Sequence, residues 1–379
     1  MGLVLHESII RSARLGAKTG VEHGVLSVNG DEISAQLTAR DACIESVAVH
    51  IVQPGDAARV LCVKDVIEPR CKTGGAEIGA GVTRVLRNVA VVTCGPIVGF
   101  QEGIIDMSGP GAAYTPFSER TLVVVEVRVE EGTPPHEHEA ALRSAGLAAA
   151  DQLAMNCAAA AIDRVDTLDW DEQRSDSGLP RIAYLDMVLS QGLLHDTWVR
   201  GRSAGDVLPC RLDPLIMLDG GVVSGNCVSA CDKTTTFHHQ NNPVVKELLA
   251  GHGARWDFAG VIMTNEPTRL AAKQRSAERA VELVRELGAD AAIITKEGFG
   301  NPDADLMMIV RALEAAGIAT VAITDEFAGT DGASQSLTDA TPEADALVSV
   351  GNANELIELP AMQTVIGPLP DVARLAGGY

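Results

Sequence analysis

Residues 220–243 read GGVVSGNCVSACDKTTTFHHQNNP, which puts two thiols, an aspartate, a lysine, three threonines and two histidines into one short stretch. Burying such groups idle costs roughly 1–3 kcal/mol for each one left unpaired, so their concentration points to use. A cysteine thiol is the strongest nucleophile among ordinary side chains, and Cys227 can reach back to the carbonyl of Asn226. Held in that geometry, the amide isomerises to a thioester, and Gly225 just upstream allows the unusual backbone angles such strain requires. Hydrolysis would then leave an amino-terminal cysteine. β-Elimination would instead give dehydroalanine and, on loss of ammonia, a pyruvoyl group. That ketone can take a substrate amine as a Schiff base, the electron-sink work otherwise left to a bound cofactor. Lys233, His238 and His239 are candidate general acids or bases for the elimination or the imine chemistry, the alternative being ordinary loop residues. Cys231, four residues on, reads either as a redox-active thiol or as a packed one.

An Asn-Cys dipeptide alone carries little, and Cys227 taken singly reads as a buried structural cysteine. A second dipeptide, Asn156-Cys157, is expected in the middle of an Ala-rich helix, where the hydrogen-bonded backbone cannot present its carbonyl. The neighbours of Cys227 are what separate the two cases.

Three apolar runs of strand length end in a repeated pattern: Met263-Thr264-Asn265-Glu266, Ile294-Thr295-Lys296-Glu297 and Ile323-Thr324-Asp325-Glu326. Ligands of open α/β sheets bind outside the carboxyl ends of the strands. Glu266, Glu297, Glu326 and Asp325 are therefore candidate substrate-binding residues, forming an acidic rim for a cationic amine. The competing account is that Thr and Glu there cap the next helix.

The elements behind these sites indicate an α/β protein with a β-rich N-terminal half followed by a doubly wound parallel-sheet C-terminal domain. Residues 1–165 form the β-rich domain, whose short β-branched runs include GVLSVNGDEISAQL and RTLVVVEVRV; a helix over HEHEAALRSAGLAAADQLAMNCAAAAID closes it. The Gly- and Pro-dense IVGFQEGIIDMSGPGAAYTPFSE is expected as a structured loop. Residues 166–255 hold the processing segment, and 256–379 alternate strands and helices as βαβ units. Gly288 and Gly317 mark helix ends.

With 30 Lys+Arg against 51 Asp+Glu the chain carries a net charge of −21, which repels phosphate backbones and anionic lipid. Nucleic acid and membrane are not expected partners, and no apolar run reaches the ~18 residues needed to span a bilayer. Eight scattered cysteines and an early Glu and two Arg where a secretory apolar region would stand predict a reduced, cytoplasmic protein. Cys227-x3-Cys231 with His238-His239, or His136-x-His138, would make at most an irregular zinc site, so no metal is expected. P-loop, dinucleotide, G-x-S-x-G and H-E-x-x-H motifs are absent.

The processing segment, VGFQEGIIDMSGPGAAYTPFSE, ITKEGFGNPDADLMM and TDEFAGTDGASQSLTDA together resemble the substrate-binding component B proprotein of the glycine/sarcosine/betaine reductases, and more distantly the D-proline reductase proprotein. The resemblance covers most of the chain. It implies self-cleavage between Asn226 and Cys227 into chains of 226 and 153 residues. Cys227 becomes the covalent pyruvoyl cofactor, and the two products stay together as a hetero-oligomer. It implies an amino acid or N-methyl amine substrate and a selenoprotein or thiol subunit that completes reductive C–N cleavage. Two alternatives stay open: a pyruvoyl-dependent decarboxylase, and a non-catalytic, uncleaved binding homologue.

Overall fold

Val-rich runs buried on both sides build the first sheet. The computed structural model describes residues 2–74, 77–96, 103–173, 178–190, 197–225, 234–298, 300–324, 337, 339–350, 356–367 and 374–376. Strands β1 (Ile44–Val52), β2 (Ala58–Ile67), β3 (Val89–Cys94), β4 (Gly103–Asp106) and β5 (Thr121–Val129) lie in the order β4-β2-β3-β5-β1. Thr364–Ile366, from far along the chain, pairs with β2. Successive side chains alternate between two cores. Val91, Val123 and Val125 meet helices α1 (Gly30–Arg40) and α2 (Pro135–Asn156) through Ile33, Leu37, Leu142 and Leu153. Val60, Val92 and Val124 meet Ile105, Phe117 and Phe237. Helix α2 lies so close to β3 that a Cβ on Gly146 would stand 1.9 Å from Oγ1 of Thr93, which is why glycine occupies that turn.

Three local expectations differ from the structure. NGDEISAQLTAR is not strand but α1: the Asn29 side chain accepts the Glu32 N–H, and Asp31 and Glu32 in the first turn favour the helix dipole. The segment expected as an irregular loop contains β4, paired with β2, before two 3-10 turns at Pro110–Tyr114 and Pro116–Glu119; its residues 97–102 lie outside the described residues. Asn156 is the last residue of α2 rather than mid-helix. Cys157 caps it, buried, with its N–H still bonded to Leu153 O at 3.1 Å. Burial raises its thiol pKa to about 11.

The second sheet runs β7 (Cys210–Leu212), β8 (Asp257–Asn265), β6 (Arg181–Val188), β9 (Ala291–Lys296), β10 (Ala319–Thr324) and β11 (Leu347–Ser349) across its width, with β7 alone antiparallel. Between β7 and β8 in sequence come two short helices, α3 (Thr236–Gln240) and α4 (Pro243–Gly251). Helices α5 (Leu270–Glu286) and α6 (Asn301–Ala315) pack on one face, against Ala183, Leu185, Ile262 and Ile294. Val245 and Leu248 of α4 cover Tyr184, Val261 and Met263 on the other. Gly288 and Gly317, with φ of 64° and 78°, stand just beyond the two long helices. β6 comes from the segment before residue 256, yet it lies between β8 and β9. Arg181 at its start fixes that insertion, donating to Asp257 Oδ2 at 2.6 Å and to Leu287 O at 2.7 Å. Among the described residues no helix is long and apolar enough to cross a membrane.

Candidate active site

Asn226, Cys227, Cys231 and Lys233 lie outside the described residues, as do Asp325 and Glu326. Their flanks are described, and both are fastened. Ser224, fully buried, donates its backbone N–H to Oγ1 of Thr236 at 2.9 Å, and that hydroxyl donates to Oδ2 of Asp65 at 2.6 Å. Oδ1 of Asp65 accepts the Thr236 N–H at 2.9 Å and its neighbour Val66's at 2.8 Å. One carboxylate on β2 thus gathers Ser224 and Thr236, the described residues on either side of positions 226–233. Burial pushes the Asp65 carboxyl upward, while Lys64 and the Thr236 donors pull it back.

The backbone of β2 is shaped for this. The β2–β3 pairing shifts register between Val63 and Asp65, and Cys62 takes a φ of 56°. Such bulges re-aim side chains. Asp65 was not among the residues singled out from sequence, yet a signal exists: ARVLCVKDVI is buried throughout, and a Lys-Asp pair has no cheap place in such a strand.

The lead-in to Ser224 is equally fixed. Asp219, in the π turn Met217–Gly221, accepts from Lys72 Nζ at 2.7 Å, Thr83 Oγ1 at 2.6 Å and Gly79 N–H at 2.7 Å. Gly220 follows with a φ of 96°, a conformation glycine adopts without strain. Downstream, Gln240 Oε1 accepts the Glu68 N–H at 2.9 Å, and Asn241 Oδ1 accepts from Arg87, tying α3 to the buried Glu7–Arg87–Glu68–Arg70 chain of charges.

From the second sheet, Glu297 holds the same segment. Its Oε1 accepts the Thr234 N–H at 2.8 Å and its Oε2 the Leu189 N–H at 2.7 Å, so both oxygens already serve backbone donors. Glu266 differs. It is fully buried, with neither carboxylate oxygen hydrogen-bonded. Burial, then the nearby Glu297 and Asp305 carboxylates, hold its pKa well above the ordinary carboxylate range, against Lys296 and Lys273. Each lysine already has an aspartate: Lys296 lies 3.2 Å from Asp303, and Lys273 pairs with Asp305. Glu266 is therefore the surplus acid of the cluster, and its surroundings favour the protonated form.

A raised folded-state pKa means stability that is present below the unfolded value and lost as pH rises through the folded one. Glu266→Gln should therefore gain stability relative to the wild type between a measurement at about pH 5, just above the ordinary carboxylate range, and one at about pH 8. Paired melting curves at the two pH values measure this, and a difference that does not move with pH would contradict it.

The adjacent histidines have different surroundings. The His238 ring lies 5.3 Å from Phe117, with Nδ1 2.9 Å from Oγ1 of Thr235. Burial first, then His239 and Arg120, lower its pKa to about 4, so it is uncharged at neutral pH. His239 is fully buried, neither ring nitrogen is hydrogen-bonded, and its Nδ1 stands 3.5 Å from Oδ2 of Asp186 on β6. α3 thus bridges the sheets, with Phe237 in the core of the first and His239 beside the second. Among the described residues no group of three or more His, Cys, Asp or Glu side chains is placed to hold a metal ion.

These features define an α/β protein in which Thr236 and Thr234 are fastened to two sheets at once, by Asp65 on one side and Glu297 on the other. The chain belongs to the family described as glycine/sarcosine/betaine reductase component B subunits, whose model matches residues 1–379. It is 46% identical over 395 residues to the sarcosine reductase complex component B subunit alpha of Peptoclostridium acidaminophilum. It is 44% identical over 397 residues to the glycine reductase complex component B subunits alpha and beta of Acetoanaerobium sticklandii. Both alignments span 100% of this chain and 92% of the relative. The D-proline reductase proprotein of A. sticklandii is 25% identical over 324 residues, 78% of this chain and 50% of that protein. No solved structure matches. With relatives named as reductase complex components, the chain is an oxidoreductase component.

Proposed function

We propose that this chain is the self-cleaving, pyruvoyl-forming, substrate-binding component of a glycine-, sarcosine- or betaine-type reductase. In this reading the bond between Asn226 and Cys227 breaks, Cys227 becomes the pyruvoyl group, and a bound amino acid or N-methyl derivative is activated for reductive C–N cleavage by a selenol or thiol subunit. The observation that carries it is the double fastening of the segment: Ser224 and Thr236 meet at Asp65, and Thr234 is tied to Glu297. A loop pinned at both ends loses little entropy on reaching a reactive geometry, which is the condition for attack on a neighbouring amide. Two names among the relatives fit the same reading, one giving a single chain two subunit designations and the other calling it a proprotein.

Asp65 and Glu297 would hold the chain on its downstream side through Thr236 and Thr234. Once formed, the group supplies an electrophilic carbonyl that draws electrons from the bond to the amine nitrogen. Glu266, buried and unpartnered, would accept an N–H of a cationic amine, and His239 would move its proton. Glu326 and Asp325 extend the binding rim, and Lys233 and His238 assist proton transfer during scission. Both products remain in one hetero-oligomer that docks the reducing subunit.

Replacing Cys227 by Ala removes the proposed nucleophile. Denaturing electrophoresis should show two chains for the wild type and one of 379 residues for Cys227→Ala. Two chains from both proteins would move scission to another bond.

A further inference from the structure

A fully buried imidazole with no hydrogen bond at either nitrogen is costly unless something else uses it. His239 is such a ring, and the acid beside it is also incompletely used, since Oδ2 of Asp186 has no hydrogen bond while Oδ1 does. Behind Asp186 runs a chain of donors that all point toward it. Asn242 Nδ2 donates to the Tyr184 hydroxyl at 3.2 Å, Tyr184 lies 2.7 Å from Oγ1 of Thr295, and Thr295 donates to Oδ1 of Asp186 at 3.3 Å. Burial and the Asp186 charge keep the Tyr184 phenol far above its ordinary pKa, so it stays a neutral link.

We propose that Asp186, oriented by Tyr184 and Thr295, is the positioning residue that keeps the proton of His239 on Nδ1 and leaves Nε2 bare as the base for a protonated substrate amine. The inference rests on the amine-binding reading above. On arrival of the ammonium, one N–H bond breaks and an Nε2–H bond forms. The electron pair stays on the substrate nitrogen, which becomes a free amine. The resulting imidazolium gains the Asp186 carboxylate at Nδ1, where 3.5 Å in the resting structure leaves room to tighten. Asp186 and Tyr184 precede residue 226, whereas His239, Asn242 and Thr295 follow it. The pair is therefore assembled from both products of scission and is lost if they part.

The test reads the tautomer directly. In protein labelled with 15N at histidine, the two His239 ring nitrogens are distinguished by long-range proton–nitrogen correlation, with His239→Gln giving the assignment. The wild type should carry its proton on Nδ1. In Asp186→Asn, Thr295 still donates to the side-chain oxygen, so the amide NH2 turns to the ring and the proton should move to Nε2. Turnover should fall on the order of 100-fold with KM little changed. Thr295→Val, close in shape, should give a mixture of tautomers and an intermediate loss. A ring protonated on Nε2 in the wild type, or a tautomer unchanged in Asp186→Asn, overturns the proposal. The intact mass of the wild type, taken beside its spectra, separates the two ideas. A wild-type chain that stays uncleaved with the Nδ1–H tautomer intact removes the functional reading but not the pair.

Discussion

With the proposed scission between residues 226 and 227, the two chains are expected to elute as one particle in native buffer and to separate only when unfolded. Strand β6 belongs to the upstream product, yet it pairs on both sides with downstream strands β8 and β9. Its buried Ala183, Tyr184, Leu185, Met187 and Val188 contribute on the order of 10 kcal/mol at ~1.5–3 kcal/mol for each larger side chain, before the two ladders are counted. The exchange is mutual. Downstream Thr364–Ile366 pairs with upstream β2, and downstream Phe237 and Ile366 lie in the core of the first sheet. Neither product can leave without stripping the middle strand from a sheet and opening a core in the other. Native mass spectrometry before and after urea measures this, and a free 226-residue chain in native buffer would contradict it.

The second large effect is expected at Asp65. Asp65→Ala strands the buried N–H and hydroxyl of Thr236 together with the N–H of Val66, at about 1–3 kcal/mol for each buried donor left unpaired. It also loosens Thr236 and, through it, Ser224, while Thr234 stays tied to Glu297. If even ~3 kcal/mol of that positioning is felt at the reacting bond, scission slows by about 100-fold, since each ~1.4 kcal/mol is a factor of ten. Asp65→Asn keeps one oxygen for Thr236 and should fall between. The time course of two-chain formation after synthesis, followed beside melting curves, separates slow cleavage from lost stability. A destabilised variant that cleaves at the wild-type rate would remove Asp65 from the processing machinery.

The second sheet was largely legible because buried parallel strands and amphipathic helices announce themselves. FAGVIMTN, AAIITKEG and IATVAITDEF correspond to β8, β9 and β10, and the glycines after α5 and α6 stop those helices where expected. The place of β6 was not legible, because an apolar run carries no mark of which neighbours it will take. Helix α1 was hidden by Val25–Val28 just before it, where the capping role of Asn29 is easily read as a turn. In the site, the cluster around Cys227 was visible as composition. Its holders were not: Asp65 is more than 160 residues upstream in sequence, and Asp186 reaches His239 only through the crossing of β6 under α3. The repeated Thr-x-Glu endings were visible, but not that Glu297 would serve backbone N–H groups while Glu266 remained an unpartnered acid. Contacts between distant segments decide such divisions of labour, and periodicity does not encode them.

Intact-mass spectrometry of the purified protein, before and after treatment with hydrazine or borohydride, tests the central claim most directly. Two masses are predicted, corresponding to residues 1–226 and 227–379, with only the downstream chain modified by the carbonyl reagent. A single unreactive mass for all 379 residues, with an ordinary Cys227 in its peptide map, would contradict it.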